Sequence, residues 1–365
     1  MKKLITIITL IAAAAAYAYC ADKTMAEFNP EFEDTIIQAL KPKNYPGWAH
    51  YTHEPKPCAL FHFSDIHSDA VEFARLAEFY ATYEKYFDDA ICTGDLVEAS
   101  NEKSDFTYWG KTPGHEKILN IIGNHDTLRD HKNWEPNVWD NQMTMKESYD
   151  YYMKPFIKGW NVIYEEGKTY YFKDYTAKKV RLIVIDCMLR QSQDGAAEDG
   201  QLKWFKECLT GAKVKGLHVV VACHFPVRNA KAVACNFTEI GLNEGGWYDE
   251  LNKYQAAVDS FMKTGGNFVS WIGGHDHWDY VCINPAFPDQ YCVCIAAANR
   301  RQCEQYNNGF RVDGTKSMDL ANAFIVDTST ECVKIIRIGA DTDSYQQQRH
   351  GICFNYKTKE IISQY

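Results

Sequence analysis

Several polar residues that could bind metal ions or transfer protons follow short apolar runs of the sequence. The clearest example is the apolar run at 118–122, which predicts a buried strand and is followed by Gly123, Asn124, His125 and Asp126. An Asn side chain offers an amide oxygen to a cation, and an imidazole can carry a proton near neutral pH. Because open α/β sheets carry their chemistry at the carboxyl ends of strands, this turn is a candidate site.

Four other strand-like runs end in similar polar residues. Together the strand-end residues are Asp65, His67, Asp95, Asn124, His125, His224, His275 and His277. Seven residues remain when His125 is left out, and all of them offer an oxygen or an imidazole nitrogen. Seven such ligands are enough for two divalent cations that share one carboxylate. The absence of Cys from the set disfavours a closed structural zinc site. In Asp65-x-His67 and in His275-x-His277, alternate residues can point to the same side of an extended segment.

The rest of the chain predicts alternating strands and helices, followed by a β-rich end. A helix over 69–86 follows the first strand, at 58–63, as in a layered α/β domain. The other predicted strands cover 89–93, 169–175, 180–186, 217–223, 268–272, 291–298, 323–328, 332–338 and 351–356, and the other predicted helices cover 200–209 and 249–264. A loop-like region at 127–150 is predicted to continue into a helical stretch to about 157. No repeat or low-complexity linker is present, so one domain with two packed sheets is the simplest organisation.

Charge favours a phosphate ester as the substrate of such a site. Two divalent cations bring four positive charges, and Asp65 and Asp95 contribute only two negative charges, so the site keeps a positive surplus. Paired cations also stabilise both the attacking and the leaving oxygen of an in-line displacement at phosphorus. The whole chain carries a formal net charge of -9 and no basic stripe, so we expect no long nucleic acid as a partner.

The motifs resemble those of the calcineurin-like metallophosphoesterases, in an exported bacterial-type form. The family pattern DxH, GD, GNH[DE], H and GHxH occurs here, in order, as Asp65-Ile-His67, Gly94-Asp95, Gly123-Asn-His-Asp126, His224 and Gly274-His-Asp-His277. The resemblance implies an α/β fold, a four-layer α-β-β-α sandwich of two mixed β-sheets flanked by helices.

The resemblance also implies two divalent metal ions. One ion would be held by Asp65, His67, Asp95 and His277, and the other by Asp95, Asn124, His224 and His275, so that Asp95 bridges them. Mixed nitrogen and oxygen ligands suit Mn, Fe, Zn or Ni, and the sequence does not choose among these metals.

His125 would face the substrate, where it would stabilise the phosphate or protonate the leaving oxygen. Purple acid phosphatases carry Tyr where this chain has Glu98, so no tyrosine–iron charge transfer is expected. We expect Glu98 to pair with His125 and raise its pKa, and Asp126 to orient neighbouring groups. Arg129 and Trp278 are candidates for substrate contact, although loop packing explains a Trp at such a position equally well.

These implications favour a hydrolase of phosphate monoesters, in which a hydroxide between the metals attacks phosphorus in line. An alternative is a phosphodiesterase that acts on cyclic nucleotides or glycerophosphodiesters. Long loops at 127–150 and 227–248 favour a small, enclosed phosphorylated substrate in either case. A more distant alternative is a non-enzymatic binding protein, which would normally have lost some of the metal ligands.

The N-terminus has the features of a secretory signal peptide. Lys2 and Lys3 precede an apolar stretch at 4–16, and small residues predict cleavage after Ala18, so that 1–18 would be removed. We therefore expect a secreted or periplasmic protein.

A lipoprotein anchored through Cys20 is disfavoured, because the bulky Tyr19 precedes this cysteine. Residues 19–56 are predicted to form a polar segment that leads into the domain, and 57–365 a single domain with a β-rich C-terminal part. No later stretch is apolar for long enough to form a transmembrane helix. Export would permit disulfides among the 13 Cys, but their spacing does not reveal the pairing, and the sequence leaves the oligomeric state open.

Overall fold

The computed structural model describes most of the chain beyond the lead-in. The described residues are 57–98, 106–128, 142–188, 197–225, 231–232, 247–277, 279–295, 297–299, 319–339 and 351–364. The predicted signal peptide and lead-in lie outside these ranges. Within them, no helix has both the length and the apolar character needed to cross a membrane.

Strands dominate the described part of the chain. They are β1 (Cys58–Phe63), β2 (Asp89–Cys92), β3 (Ile118–Asn120), β4 (Ile163–Tyr164), β5 (Tyr171–Tyr175), β6 (Val180–Val184), β7 (His218–Ala222), β8 (Lys231–Ala232), β9 (Asn267–Gly273), β10 (Tyr280–Asn284), β11 (Phe287–Cys294), β12 (Leu320–Asp327), β13 (Cys332–Gly339), β14 (Gly351–Asn355) and β15 (Ile361–Gln364). The α-helices are α1 (Ala70–Tyr83), α2 (Thr107–Lys111), α3 (Asn124–Thr127), α4 (Met145–Ser148), α5 (Ala197–Val214) and α6 (Trp247–Lys263).

The strands form two mixed sheets. The first sheet has seven strands in the order β15-β14-β13-β12-β1-β2-β3, and the second has eight in the order β4-β5-β6-β7-β9-β11-β10-β8. In the first sheet, β1, β2 and β3 run parallel to one another. In the second sheet the parallel core is β6, β7, β9 and β11. Every strand that precedes a predicted ligand belongs to one of these parallel cores, so the ligands share one edge of each sheet.

Aromatic contacts place helices outside the two sheets. Phe61 and Phe63 of β1 are buried and face α1, where the rings of Phe61 and Phe79 stack 5.4 Å apart. On the second sheet, Phe205 of α5 packs against Trp271 of β9 with ring centroids 6.4 Å apart. The predicted helix over 69–86 is confirmed, and its start is capped by Asp69, whose carboxylate accepts from the first-turn amides.

Other contacts join the inner faces of the two sheets. The hydroxyl of Tyr171 on β5 donates to the main-chain oxygen of Asn120 on β3 at 3.0 Å. Tyr291 on β11 packs against Phe354 on β14 with ring centroids 5.1 Å apart. The four-layer α-β-β-α sandwich predicted from the motifs is therefore confirmed.

Some elements differ from the sequence prediction. The sequence pattern did not predict β4, β8, β10 or β15. The strand predicted over 291–298 is wrong at both ends, because β11 begins at Phe287 and ends at Cys294. The helix predicted over 200–209 is longer than expected and covers Ala197–Val214. Residues Tyr149–Met153 form a π-helix within the region expected to be loop-like and then helical.

Candidate metal centre

Main-chain hydrogen bonds draw the strand ends of the two sheets together. Within the first sheet, the amide of Asp65 donates to the main-chain oxygen of Gly94 at 2.9 Å. Between the sheets, the amide of His275 donates to the Asp65 carboxylate at 3.1 Å, and His224 Nδ1 donates to the main-chain oxygen of Thr93 at 2.8 Å. The motifs from five strands thus converge at one place.

The backbone at this place is strained. Five of the predicted ligands have left-handed backbone conformations with positive φ, namely Asp65 (57°), His67 (45°), Asp95 (51°), His275 (72°) and His277 (59°). For a residue other than Gly such a conformation costs roughly 1–3 kcal/mol and persists only where the surroundings impose it. These conformations turn the chain sharply at the ends of β1, β2 and β9 and aim the side chains into a common space.

The motif glycines leave room for the carboxylates. A Cβ atom added to Gly123 would lie 2.1 Å from Asp95 Oδ1, and one added to Gly274 would lie 2.4 Å from Asp65 Oδ2. Both distances are shorter than any van der Waals contact, so only Gly allows the loops to pack this closely against the two carboxylates.

One group of possible ligands comprises Asp65, His67, Asp95 and His277. One side-chain ligand atom from each of them lies within 4.8 Å of all the others, and all four residues are buried. His277 Nε2 lies 3.4 Å from Asp65 Oδ1, and His67 Nε2 lies 3.7 Å from Asp95 Oδ2. Two carboxylates and two imidazoles within this distance form a donor set typical of a divalent transition-metal site.

A second group comprises Asp95, His224 and His275, again with ligand atoms within 4.8 Å of one another. His224 Nε2 lies 3.2 Å from Asp95 Oδ2 and 3.0 Å from the amide oxygen of Asn124. The two groups together contain six of the seven residues predicted as metal ligands, and Asp95 is common to both. The seventh, Asn124, lies beside the second group through its contact with His224.

The local field stabilises positive charge at this cluster. Burial alone would raise the pKa of Asp95, but His224 and His125 hold it well below its usual range. Burial opposes the ionisation of Asp65 as well, yet the hydrogen bond and charge of His277 lower its pKa to about 2. Burial would lower the pKa of His224, whereas the charge of Asp95 raises it to about 10. Two buried carboxylates that stay ionised stabilise a proton or a metal cation between them.

His125 and His67 are both held by Glu98, through different atoms. The Glu98 carboxylate lies 2.9 Å from His67 Nδ1 and 3.9 Å from His125 Nδ1. His125 Nδ1 instead donates to the main-chain oxygen of Glu98 at 2.9 Å. Burial lowers the pKa of His125, but the charges of Asp95 and Glu98 outweigh this effect and raise it. The raised pKa of His125 has the direction that the sequence predicted. The carboxylate of Glu98 is hydrogen-bonded to His67 and also lies at ion-pair distance from His125.

The model for the family described as calcineurin-like phosphoesterase matches residues 59–279, more than half of the chain. The chain belongs to the calcineurin-like phosphoesterase family. It is accordingly a metal-dependent phosphoesterase, and its buried Asp and His cluster fits a binuclear divalent metal centre. The alternative of a non-enzymatic binding protein is not supported, since every predicted ligand is retained. No curated protein matches the chain.

Solved structures with this fold include two phosphatases. A dimetal phosphatase from Danio rerio has a TM-score of 0.52 and 10% identity, over 82% of this chain and 99% of that protein. The purple acid phosphatase PPD1 from yellow lupin (Lupinus luteus) has a TM-score of 0.50 and 12% identity, over 84% of this chain and 55% of that protein. At such low identity the similarity shows the fold alone.

Asp126 of this phosphoesterase holds two motif loops together. One carboxylate oxygen accepts from the amides of Leu96 and Val97 at 2.8 and 3.1 Å, and the other accepts from the amide of Gly123 at 2.8 Å. Asp126 lies in neither ligand group. Its contacts tie the loop after Asp95 to the turn that carries Asn124 and His125.

The sequence did not reveal two groups that hold site residues in place. The main-chain oxygen of Thr93 accepts from His224, and the hydroxyl of Ser68 accepts from the amide of Glu98 at 2.9 Å. A main-chain acceptor leaves no signal in the sequence, whereas the position of Ser68 directly after the DxH motif was a usable clue. Arg129 and Trp278, predicted to contact substrate, lie outside the described residues.

Proposed function

We propose that this phosphoesterase hydrolyses small phosphate monoesters at a centre of two divalent cations bridged by Asp95. The observation that carries the proposal is the membership of Asp95 in both ligand groups, with one of its oxygens 3.2 Å from His224 Nε2 and 3.7 Å from His67 Nε2. Asp65, His67 and His277 would complete one site, and Asn124, His224 and His275 the other. Bound there, two such cations lower the pKa of a water molecule and offset the negative charge that develops on the phosphate oxygens.

His125 is suited to protonate the leaving oxygen of the ester. Its Nδ1 donates to the Glu98 main chain, so in the protonated ring the proton on Nε2 is the one to be transferred. The side chain is partly accessible, at 14%, in contrast to the buried ligand histidines His67 and His224. The raised pKa of His125 increases the fraction that holds this proton at neutral pH.

We assign positioning roles to Glu98 and Asp126. A carboxylate that accepts from His67 Nδ1 fixes the tautomer in which Nε2 carries the lone pair, and Nε2 is the atom that faces Asp65 and Asp95. Asp126 fixes the position of the Asp95 loop relative to the Asn124 turn through its three amide contacts.

Two considerations favour a monoester over a diester. A monoester dianion gains more than a diester monoanion from a site with surplus positive charge. The acidic charge of the chain, -9, gives no general attraction for a long polyanionic diester. A cyclic nucleotide or a glycerophosphodiester remains the second candidate.

The test compares p-nitrophenyl phosphate with bis-p-nitrophenyl phosphate, using protein reconstituted in turn with Mn, Fe, Zn and Ni. We expect a higher kcat/KM for the monoester and two metal ions per chain. Asp95→Asn should lose both ions, whereas Asp150→Asn, at an exposed carboxylate paired with Lys146, should keep them. Preference for the diester would replace the monoester assignment, and two retained ions in Asp95→Asn would refute the bridging role.

We further propose that the chain is exported and that 1–18 is removed. The charged start, the apolar stretch and the small residues before position 19 support this proposal. N-terminal sequencing of protein recovered from the periplasm or medium should begin at Tyr19. A mature chain that begins at Cys20 and carries lipid would show the lipoprotein instead.

A further inference from the structure

Five buried cysteines lie close together in the second sheet and at the ends of its strands. They are Cys187, Cys223, Cys282, Cys292 and Cys294. The thiol of Cys282 interacts with those of Cys292 and Cys294, and the thiol of Cys223 with those of Cys187, Cys292 and Cys294. None of the proposed steps of phosphate ester hydrolysis uses these residues.

This sulfur cluster does not have the arrangement of a metal site. Among the described residues, the sets of three or more ligand atoms within 4.8 Å of one another contain only Asp, Glu and His. A thiolate site for zinc would need several sulfurs at about 2.3 Å from one centre. The remaining chemistry for these thiols is a bond between two of them.

The strand register singles out one pair. In the antiparallel hairpin of β10 and β11, Cys282 lies directly opposite Cys292, between the pairs Val281–Val293 and Ile283–Tyr291. Residues directly opposite in such a ladder have Cα atoms about 4.5–5.5 Å apart and side chains on the same face. A disulfide needs Cα atoms about 4.4–6.8 Å apart, so this pair can be bridged without moving the strands.

Other sulfurs are less suited to bridging. Cys294 Sγ donates to the main-chain oxygen of Gly274 at 3.0 Å. Cys187 and Cys223 both contact the main chain of Phe225, next to His224, and a bridge between them would disturb those contacts.

A further pair lies outside the cluster, on strands β13 and β14. Cys353 is opposite Lys334, so it lies diagonal to Cys332. Their thiols contact each other. The Cα atoms of diagonal neighbours are nevertheless about 7–8 Å apart, near or beyond the limit for a disulfide, so a bridge here would require the strands to shift.

We propose that Cys282 and Cys292 become joined by a disulfide bond when the protein folds under oxidising conditions. The two thiols lose two protons and two electrons as the S–S bond forms, and a disulfide oxidant such as oxidised glutathione is reduced to two thiols. Because the two cysteines are 0% and 1% exposed in the folded protein, the bond forms before the hairpin is covered.

The bond would reinforce the part of the sheet that carries two predicted metal ligands. Strand β11 pairs with β9, and Cys294 lies opposite Gly273, directly before the loop of His275 and His277. A link between β10 and β11 prevents the outer strand from separating from the one that supports this loop. The proposal does not depend on phosphate ester hydrolysis.

The test maps the thiols of protein that has been unfolded with reductant and refolded in a buffer of reduced and oxidised glutathione. Free thiols are blocked with iodoacetamide in denaturant, and the chain is then cleaved before Asp residues, which separates Cys282 from Cys292 at Asp289. We expect a peptide pair joined through Cys282 and Cys292, with both sulfurs resistant to blocking until reductant is added.

Matched variants make the outcome specific. Cys294→Ser should retain the linked peptides, and Cys282→Ser should leave Cys292 open to blocking. Complete blocking of both thiols in the refolded wild-type protein would overturn the proposal, and so would a link from Cys282 to Cys294. Mapping of the wild-type protein decides the matter even where a variant folds poorly.

Discussion

At the residue scale, the role of His125 can be tested separately from the roles of the metal ligands. Its amide donates to Asp95 Oδ1 at 3.0 Å, and this main-chain contact survives any change of side chain. His125→Asn should therefore keep both metal ions and lower kcat by about 10²–10⁴-fold, the usual range for a positioned acid or base. Metal content and kcat are measured on the same sample, with His115→Asn as the control outside the site. Unchanged turnover would remove His125 from the mechanism.

Glu98 gives a second prediction at this scale, because its carboxylate is hydrogen-bonded to His67, whereas the hydrogen bond of His125 goes to its main-chain oxygen. Glu98→Gln keeps the main-chain acceptor of His125 but replaces the charged acceptor of His67 Nδ1 with a neutral one. We expect metal affinity to fall by about 10–100-fold, as is typical when the partner of a ligand histidine is changed. Metal titration in competition with a chelator measures this change.

The control for Glu98 is Glu84→Gln, which removes an exposed pair with Lys117. If Glu98→Gln bound metal as tightly as the wild type but shifted a limb of the pH–rate curve, its carboxylate would act on His125, as the sequence had suggested. The sequence could not decide between the two histidines, because the direction that a Glu side chain takes depends on the fold around it.

At the element scale, the turns after the strands depend on glycine. Gly123→Ala would put a methyl group 2.1 Å from Asp95 Oδ1, and main-chain atoms of Asp95 lie almost as close, so the turn has to move. We expect a large loss of metal affinity and a lower unfolding temperature. Gly110→Ala on α2 is the matched control, because a Cβ there would meet no atom within 4 Å. Equal metal affinity in the two variants would show that the turn tolerates a side chain.

The elements that carry the ligands were also those that the sequence predicted best. Strands β1, β7 and β9 are short buried runs that end at a polar motif, so both the apolar pattern and the turn mark them. In contrast, β4 and β8 are two-residue strands, too short to form a pattern. The order of strands within each sheet also had to come from the structure, since it depends on contacts between distant parts of the chain.

At the scale of the whole molecule, a buried hydrogen bond links the two sheets. His218 begins β7 in the second sheet, and Tyr356 directly follows β14 in the first. The hydroxyl of Tyr356 and His218 Nδ1 are hydrogen-bonded to each other at 2.7 Å. Burial lowers the pKa of His218 to about 4, and the positive charges of Lys357 and Lys179 add to this effect. Protonation of His218 would leave a buried positive charge close to two lysines.

The buried position of His218 predicts how stability depends on pH. His218 titrates near 6.5 in the unfolded chain and near 4 in the folded one, so between these values the unfolded chain binds more protons. The stability that depends on neutral His218 is complete above pH 6.5 and is lost as the pH falls towards 4. We expect the unfolding temperature to fall by a few degrees more between pH 7 and pH 5 in the wild type than in His218→Gln. His115→Gln should behave like the wild type, and identical pH dependence in the wild type and His218→Gln would show that folding does not lower the pKa of His218.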